Sequence, residues 1–289
     1  MLNPNPSAGH GTEPKPLAPG LYLVATPIGN LRDITLRALD VLAGADIVLC
    51  EDTRVGGKLL AAHGLKARLE RYDEHAAART RPVILQHLAA GAKVALTSDA
   101  GTPLISDPGY RLVREAAAQG TDVFPIPGPS ALLAGLTVSG LPTDRFLFAG
   151  FPPPKAIARQ KFFEDLSGVA ATLIFYESGP RLAASLADMA QVFGPREAAV
   201  GRELTKLHET VLRGPLNVLA ADERLDAPRG ELVVVVGPPT ERAATFEESE
   251  IALREAVARL GPSAGAAEVA RALGLPRREL YARALALKA

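Results

Sequence analysis

The sequence predicts an α/β protein of two domains followed by a short helical segment, and three observations predict it. Strand-length apolar runs take turns with segments of helical spacing from Leu21 to Ser139, the pattern of an open, largely parallel sheet with crossover helices. The alternation restarts after Gly140-Leu141-Pro142, and from Glu247 it gives way to amphipathic helices. The length of 289 residues agrees, since about 150 residues per domain leaves room for two.

Residues 1–19 carry five prolines and almost nothing apolar, which predicts a disordered tail. The run Leu21-Tyr22-Leu23-Val24-Ala25-Thr26 reads as the first strand and ends in Pro27-Ile28-Gly29-Asn30. A helix is predicted over 35–43 from Leu36, Leu39 and Leu42, a strand over 46–50 and a helix over 55–63. A helix over 76–90 and a strand over 93–97 follow. Asp107-Pro108 looks like an N-cap followed by proline at the first helical position, so a helix is predicted over 108–119, stopped by Gly120. Val123-Phe124 reads as a strand, and Ser130 as the cap of an apolar helix.

In the second domain, strands are predicted at 146–148, 171–176, 198–202, 209–212 and 232–236, with helices over 161–166 and 180–193. Three late strands with few helices between them predict a mixed sheet. Helical patterns over 251–260, 266–273 and 277–287, with Gly274-Leu275-Pro276 as a turn, resemble a helix-turn-helix. The predicted division is a tail at 1–19, domains at 20–139 and 140–240, and a helical segment at 245–289.

Composition excludes several function classes. Basic and acidic residues number 32 each, so a uniformly basic nucleic-acid coat is out, although a local patch is not. The lone Cys50 excludes an intramolecular disulfide and any cysteine-rich metal centre, and five scattered histidines lack ligand spacing, so no metal site is expected. No apolar run approaches the roughly 18 residues that span a bilayer. The first residues lack a basic region followed by an apolar core, which leads to the expectation of a cytoplasmic chain without a membrane partner.

Ligands of open α/β sheets bind beyond the carboxyl ends of the strands. Three loops predicted there are rich in Gly, Pro and small polar residues: 26–30, 98–103 and 125–130. Glycine lets a ligand approach the backbone and proline sets the loop before binding, although the same residues also serve ordinary turns. Neither GxGxxG nor GxxxxGK[ST] occurs, so the phosphate-cradling fingerprints are missing. Glu51-Asp52 at the end of the second strand is a faint ribose-binding cue; a ligand held by backbone groups and small residues fits better.

Leu21–Leu31, Cys50-Glu51-Asp52-Thr53-Arg54, SDAGTPLISDPGY from Ser98 to Tyr110, and Pro127-Gly128-Pro129-Ser130 together resemble the tetrapyrrole-methylase superfamily. Phe175–Ser178, Arg202–Lys206 and Arg229–Leu232 match in the second half, so the resemblance spans about Gly20 to Gly237. It implies two α/β domains with S-adenosylmethionine in the cleft between them. It also implies methylation of the ribose 2′-oxygen of a cytidine in the decoding region of 16S rRNA, within the small ribosomal subunit, by a homodimer. Carried over residue by residue, the cofactor positions are Pro27, Ile28, Asp99, Gly101, Thr102, Pro103, Ser130, Ala131, Tyr176, Leu204 and Gly230.

A ribose hydroxyl is a poor nucleophile while protonated, so a base or a positive neighbour should assist, and Lys206 and Glu177 are the candidates. RNA binding needs positive charge. Lys155, Arg159 and Lys161, after Pro152-Pro153-Pro154, are the candidate patch, with Asp52 and Arg54 as candidate substrate grips. A basic run from Arg277 to Lys288 is a second, weaker patch. Two other readings compete: a small-molecule methylase acting on a tetrapyrrole, which would need a broad apolar cleft, and a non-catalytic RNA-binding module without cofactor affinity.

Overall fold

The computed structural model describes residues 16–239, 246–273 and 275–287; the predicted tail at 1–15 lies outside them. The first half runs β1 (Gly20–Val24), α1 (Leu36–Gly44), β2 (Ile47–Cys50), α2 (Thr53–Ala62), β3 (Leu69–Arg71), α3 (Glu74–Ala89), β4 (Lys93–Thr97), α4 (Tyr110–Ala118), β5 (Val123–Ile126) and α5 (Ala131–Ser139). Its sheet has the order β3-β2-β4-β1-β5 and every pair is parallel.

Parallel sheets are covered on both faces, and the strands show it. Leu21, Leu49 and Leu96 point into one layer with Ile84 and Leu88 of α3 and Leu112 of α4. Their neighbours Tyr22, Val48 and Ala95 point into the other with Val41 and Leu42 of α1 and Leu60 of α2. Leu17, inside the predicted tail, packs on this second layer, and Ala18 accepts a hydrogen bond from the Tyr22 hydroxyl at 2.7 Å. Order therefore begins before Gly20.

The second half runs β6 (Phe146–Gly150), α6 (Ala156–Leu166), β7 (Thr172–Ser178), α7 (Gly179–Phe193), β8 (Glu197–Arg202), β9 (Thr210–Pro215), α8 (Leu216–Leu219) and β10 (Glu231–Val236). The sheet order is β6-β7-β10-β8-β9, with β6 parallel to β7 and the other pairs antiparallel, the mixed sheet expected. Phe163, Phe175 and Phe193 pack edge-to-face and tilted on one side of it. On the other side lies α5, whose Leu132 and Leu136 pack with Ile174, Val233 and Val235. A Cβ at Gly135 would sit 2.5 Å from Val233 Cγ1, so this helix lies directly on the strand. The predicted boundary at 139/140 put α5 with the first domain; its packing ties it to the second sheet. Both sheets belong to one compact unit that includes residues 171–237.

Several predicted edges move. The helix predicted from Pro108 starts at Tyr110, and its N-cap is Gly109, at φ 134° and without a side-chain cap bond. Asp107 is thus no cap. Helix α6 starts at Ala156 rather than Lys161, because Arg159 takes the core position one turn before Phe163. The three-residue edge strand β3 carries no sequence signal, since its pattern is only half-buried.

A second unit holds the C-terminal helices, α9 (Phe246–Leu273) and α10 (Arg277–Ala286). Gly261, at φ 79° and ψ 169°, breaks α9 ahead of Pro262, which restores the three predicted segments; Gly274 lies outside the described residues. Leu253, Ala256, Ala266, Val269, Leu280 and Ala284 form its own small core. No helix among the described residues is long and apolar enough to cross a membrane.

Candidate active site

The chain leaves β1 toward β2 on one side of the first sheet and leaves β4 toward β5 on the other, so β1 and β4 flank a topological switch point. The crevice beyond their carboxyl ends is where such sheets bind ligands. The loops after these strands are stitched together there: Thr26 N–H donates to Gly101 O at 2.9 Å, Gly101 N–H to Thr26 O at 3.0 Å, and the Thr26 hydroxyl to Ser98 O at 3.1 Å. The Thr102 hydroxyl donates to Pro129 O at 3.0 Å and adds the third loop.

A cavity of about 350 Å³ opens on these loops, a size proper to a small-molecule site. Nine of the eleven positions expected to hold the cofactor line it: Ile28, Asp99, Gly101, Thr102, Ser130, Ala131, Tyr176, Leu204 and Gly230. Pro27 and Pro103 do not. The second sheet closes the cavity through Tyr176 at the end of β7, whose hydroxyl accepts from Leu132 N–H at 3.1 Å. Tyr176 thereby satisfies the first turn of α5, a task expected of Ser130. Ser130 makes no side-chain cap bond and lines the cavity.

Lys206 and Glu177 both line the cavity, and both are engaged by neighbouring side chains. Burial alone would lower the Lys206 pKa, yet the hydrogen bond and charge of Glu203, at 2.9 Å, with Glu231 at 3.4 Å, hold it above the ordinary lysine range. Lys206 is therefore a fixed positive charge rather than a base. Its side chain also lies against Gly29, where any Cβ would overlap it. Glu177 is buried, accepts from Ser178 N–H at 2.8 Å and from the Ser185 hydroxyl, and pairs with Arg181 at 3.3 Å. Both its carboxylate oxygens are engaged, and they tie Glu177 to the first two turns of α7.

The RNA candidates divide. Lys155 and Lys161 are exposed. Arg159 is buried, with its Nε and Nη2 on Asp188 Oδ2 at 2.7 and 2.6 Å, so it is a core ion pair and not an RNA contact. Asp52 caps α2 and grips Arg54 at 2.6 Å; the Arg54 hydrogen bond holds its carboxyl down at about 2. Arg54 projects from it with 86% of its side chain exposed. In the C-terminal unit Arg277 and Arg278 are exposed, and Lys288 lies outside the described residues.

The profile of the Tetrapyrrole (Corrin/Porphyrin) Methylases matches residues 20–220, and that of the RsmI C-terminal HTH domain matches residues 243–288. A Ribosomal RNA small subunit methyltransferase I from Mesorhizobium japonicum is 52% identical over 276 residues, 95% of this chain and 94% of that protein. One from Erythrobacter litoralis is 54% identical over 279 residues, covering 96% and 99%. The chain belongs to the ribosomal RNA small subunit methyltransferase I family of tetrapyrrole methylases. Among solved structures, the methyltransferase CobJ superposes with a TM-score of 0.57 at 17% identity, covering 76% of this chain and 94% of its own. A uroporphyrin-III-C-methyltransferase from Thermus thermophilus gives 0.53 at 21%, covering 75% and 93%. These two likenesses establish the fold.

The cofactor of this methylase is S-adenosylmethionine, and the cavity suits it chemically. Glu51 and Asp99 would offer carboxylates to its cationic groups, Ser130 a hydroxyl, and Ile28, Leu204 and Tyr176 an apolar wall for the adenosyl part. Sequence reasoning missed Asp107 and Phe151 on this wall, and weighed Glu51 only as a ribose cue. Asp107 was masked by its resemblance to a helix cap. Phe151 shows itself only through its edge-to-face contact with Tyr176, centroids 5.5 Å apart.

Proposed function

We propose that the chain methylates the ribose 2′-oxygen of a cytidine in the 16S rRNA of the small ribosomal subunit, acting in the cytoplasm as a homodimer. The observation that carries the reading is the meeting of loop residues from both halves in one cavity. It occurs in a chain more than half identical, over at least 95% of its length, to proteins that bear the name Ribosomal RNA small subunit methyltransferase I.

S-adenosylmethionine supplies a methyl group already activated on a sulfonium, so the protein has to align the acceptor and exclude water. Ile28, Asp99, Ser130, Tyr176 and Leu204 would hold the cofactor, and the crossed loops keep its wall rigid before it arrives. Carboxylates outnumber cations on the lining, where Lys206 stands against Glu51, Asp99, Asp107, Glu203 and Glu231. A polyanion therefore enters sugar-first, with its phosphates held outside. Exposed Lys155, Lys161 and Arg54 suit that outer role, and Lys155 stands four residues beyond Phe151 of the cavity wall. Leu31 and Leu207, 49% and 92% exposed and each next to a loop of the cleft, provide apolar surface for a second copy.

The test mixes the purified chain with methyl-labelled S-adenosylmethionine and small subunits from cells lacking the activity. The expected result is label in rRNA on a single cytidine ribose, read as an alkali-resistant dinucleotide. Label on a base, label on a free tetrapyrrole, or none at all contradicts the reading.

A further inference from the structure

Methylating a hydroxyl requires that its proton leave, and on the reading of the cleft given above this proton still lacks an assigned acceptor, with Lys206 charged and Glu177 engaged by Ser178, Ser185 and Arg181. We propose that Asp107 is the catalytic residue that accepts the 2′-hydroxyl proton. Three carboxylates of the first half reach the cavity, and their bonding separates them. Asp99 Oδ1 accepts from Asp52 N–H at 3.1 Å, and Glu51 accepts from the backbone of Asp99. Asp107 has no such backbone donor; its hydrogen-bonding neighbour is the Ser98 hydroxyl, which it shares with Gly101 O, 3.1 Å from that hydroxyl. Nor is Asp107 spent on α4, which is capped by Gly109.

The backbone around Asp107 is forced. Leu104 and Ser106 hold φ of 73° and 68°, a left-handed conformation unusual for residues with side chains. Gly109, at φ 134°, has room for no Cβ, which would lie 2.6 Å from Leu104 Cδ2 and 2.7 Å from Leu96 Cδ2. The loop is thus pinned on the end of β4. Among the described residues the other left-handed non-glycines are Glu203, Thr205 and Ala227. Glu203 lines the same cavity and Thr205 is in the same loop, so four of the five sit in two loops on this site. Strain of this kind persists where surroundings enforce it and concentrates at functional sites.

The charges facing Asp107 make it a base suited to neutral pH. Burial raises its carboxyl first, the Glu51 charge from β2 next and Asp99 from the loop after β4 further, against the Ser98 hydrogen bond, to about 7. From β7 it meets Tyr176, whose hydroxyl is itself pushed up by burial. A base is most effective when its pKa lies near the working pH. In the step, the ribose O–H bond breaks and its proton moves to an Asp107 carboxylate oxygen. The freed oxygen pair forms the O–CH3 bond, while the pair of the broken S–CH3 bond stays on sulfur as a thioether. Asp107 then returns its proton to water.

The test compares the full chain with Asp107→Asn, which keeps the shape. Single-turnover methyl transfer to small subunits is expected to fall at least about a hundredfold. Cofactor affinity by calorimetry should stay within about threefold. The wild-type rate should rise with pH through a midpoint near 7, a limb absent from the variant but kept in Asp99→Asn and Glu51→Gln. A readout independent of turnover is carbon-13 NMR of the aspartate carboxyls without cofactor or RNA, which should show one midpoint near 7 that the variant lacks. Stability is a further readout. The folded pKa lies above the unfolded value of about 3.9, so folded protein binds the extra proton and loses stability as pH rises from about 4 past 7. Asp107→Asn should therefore melt higher than wild type at about pH 8 and gain less at about pH 4. A variant that keeps its rate within about threefold, keeps the limb, or fails to fold overturns the proposal, as does absence of the high carboxyl midpoint. If the wild type itself labels no ribose, the reading of the cleft falls, a result distinct from wild-type labelling that survives in the variant.

Discussion

Lys206 lies across Gly29 with its ammonium between Glu203 and Glu231, so its charge is held and its proton is not on offer. Arginine at this position cannot lose a proton at all. Lys206→Arg should keep methyl transfer within about tenfold, where loss of a general base costs about 10²–10⁴-fold; the larger loss would restore Lys206 as the base. Arg159 is the second residue at which sequence and structure part. Reversing it would leave Asp188 buried without its partner, so Arg159→Glu should cost about 3–5 kcal/mol by denaturant unfolding. Lys155→Glu, on exposed backbone nearby, should stay within about 0.5 kcal/mol and weaken subunit binding instead. Equal destabilisation by both would contradict the division between core and surface drawn for them. Both residues look alike in sequence, as cations in a Pro-led segment. What separates them is Asp188, 29 positions away on α7, a partner that no local pattern reveals.

At the scale of elements, the inner strands were legible because both their faces are buried, so they appear as unbroken apolar runs such as Ile47–Cys50 and Leu232–Val236. Strand β3 was not, since at the sheet edge Leu69-Glu70-Arg71 need satisfy only one neighbour. The glycine and proline loops were legible, and they line the cavity, because a backbone that must cross and bridge, as Thr26 and Gly101 do, needs those residues. Asp107 was obscure because Asp before Pro has a commoner use as a cap. Helix α5 couples the two halves: its N-terminal Ser130 and Ala131 line the cavity while Gly135 rests on Val233. Gly135→Val improves helix propensity yet adds methyls where even a Cβ lies 2.5 Å from its neighbour. It should lower stability by about 1–3 kcal/mol through overpacking and weaken cofactor binding by shifting the helix start. A higher melting temperature with unchanged affinity would show that the helix does not bear on the sheet as described.

For the whole molecule, two sheets of different kinds meet over one cavity, and neither supplies a complete wall. The parallel sheet brings the crossed loops of the switch point, and the mixed sheet brings Tyr176, Leu204 and Gly230. This division follows from topology, which the alternation of runs foretold for the first half. The packing of α5 on the second sheet could not be foretold, because it depends on contacts between residues a hundred positions apart. The most direct test of the account is to fill the cavity from a small residue on its wall. Ala131 lies at the first position of α5 on the cavity wall. In Ala131→Phe, calorimetry should show S-adenosylmethionine affinity reduced by at least about a hundredfold, roughly 2.8 kcal/mol, with the melting temperature close to wild type. Unchanged affinity in a folded Ala131→Phe protein would place the cofactor elsewhere and contradict the account.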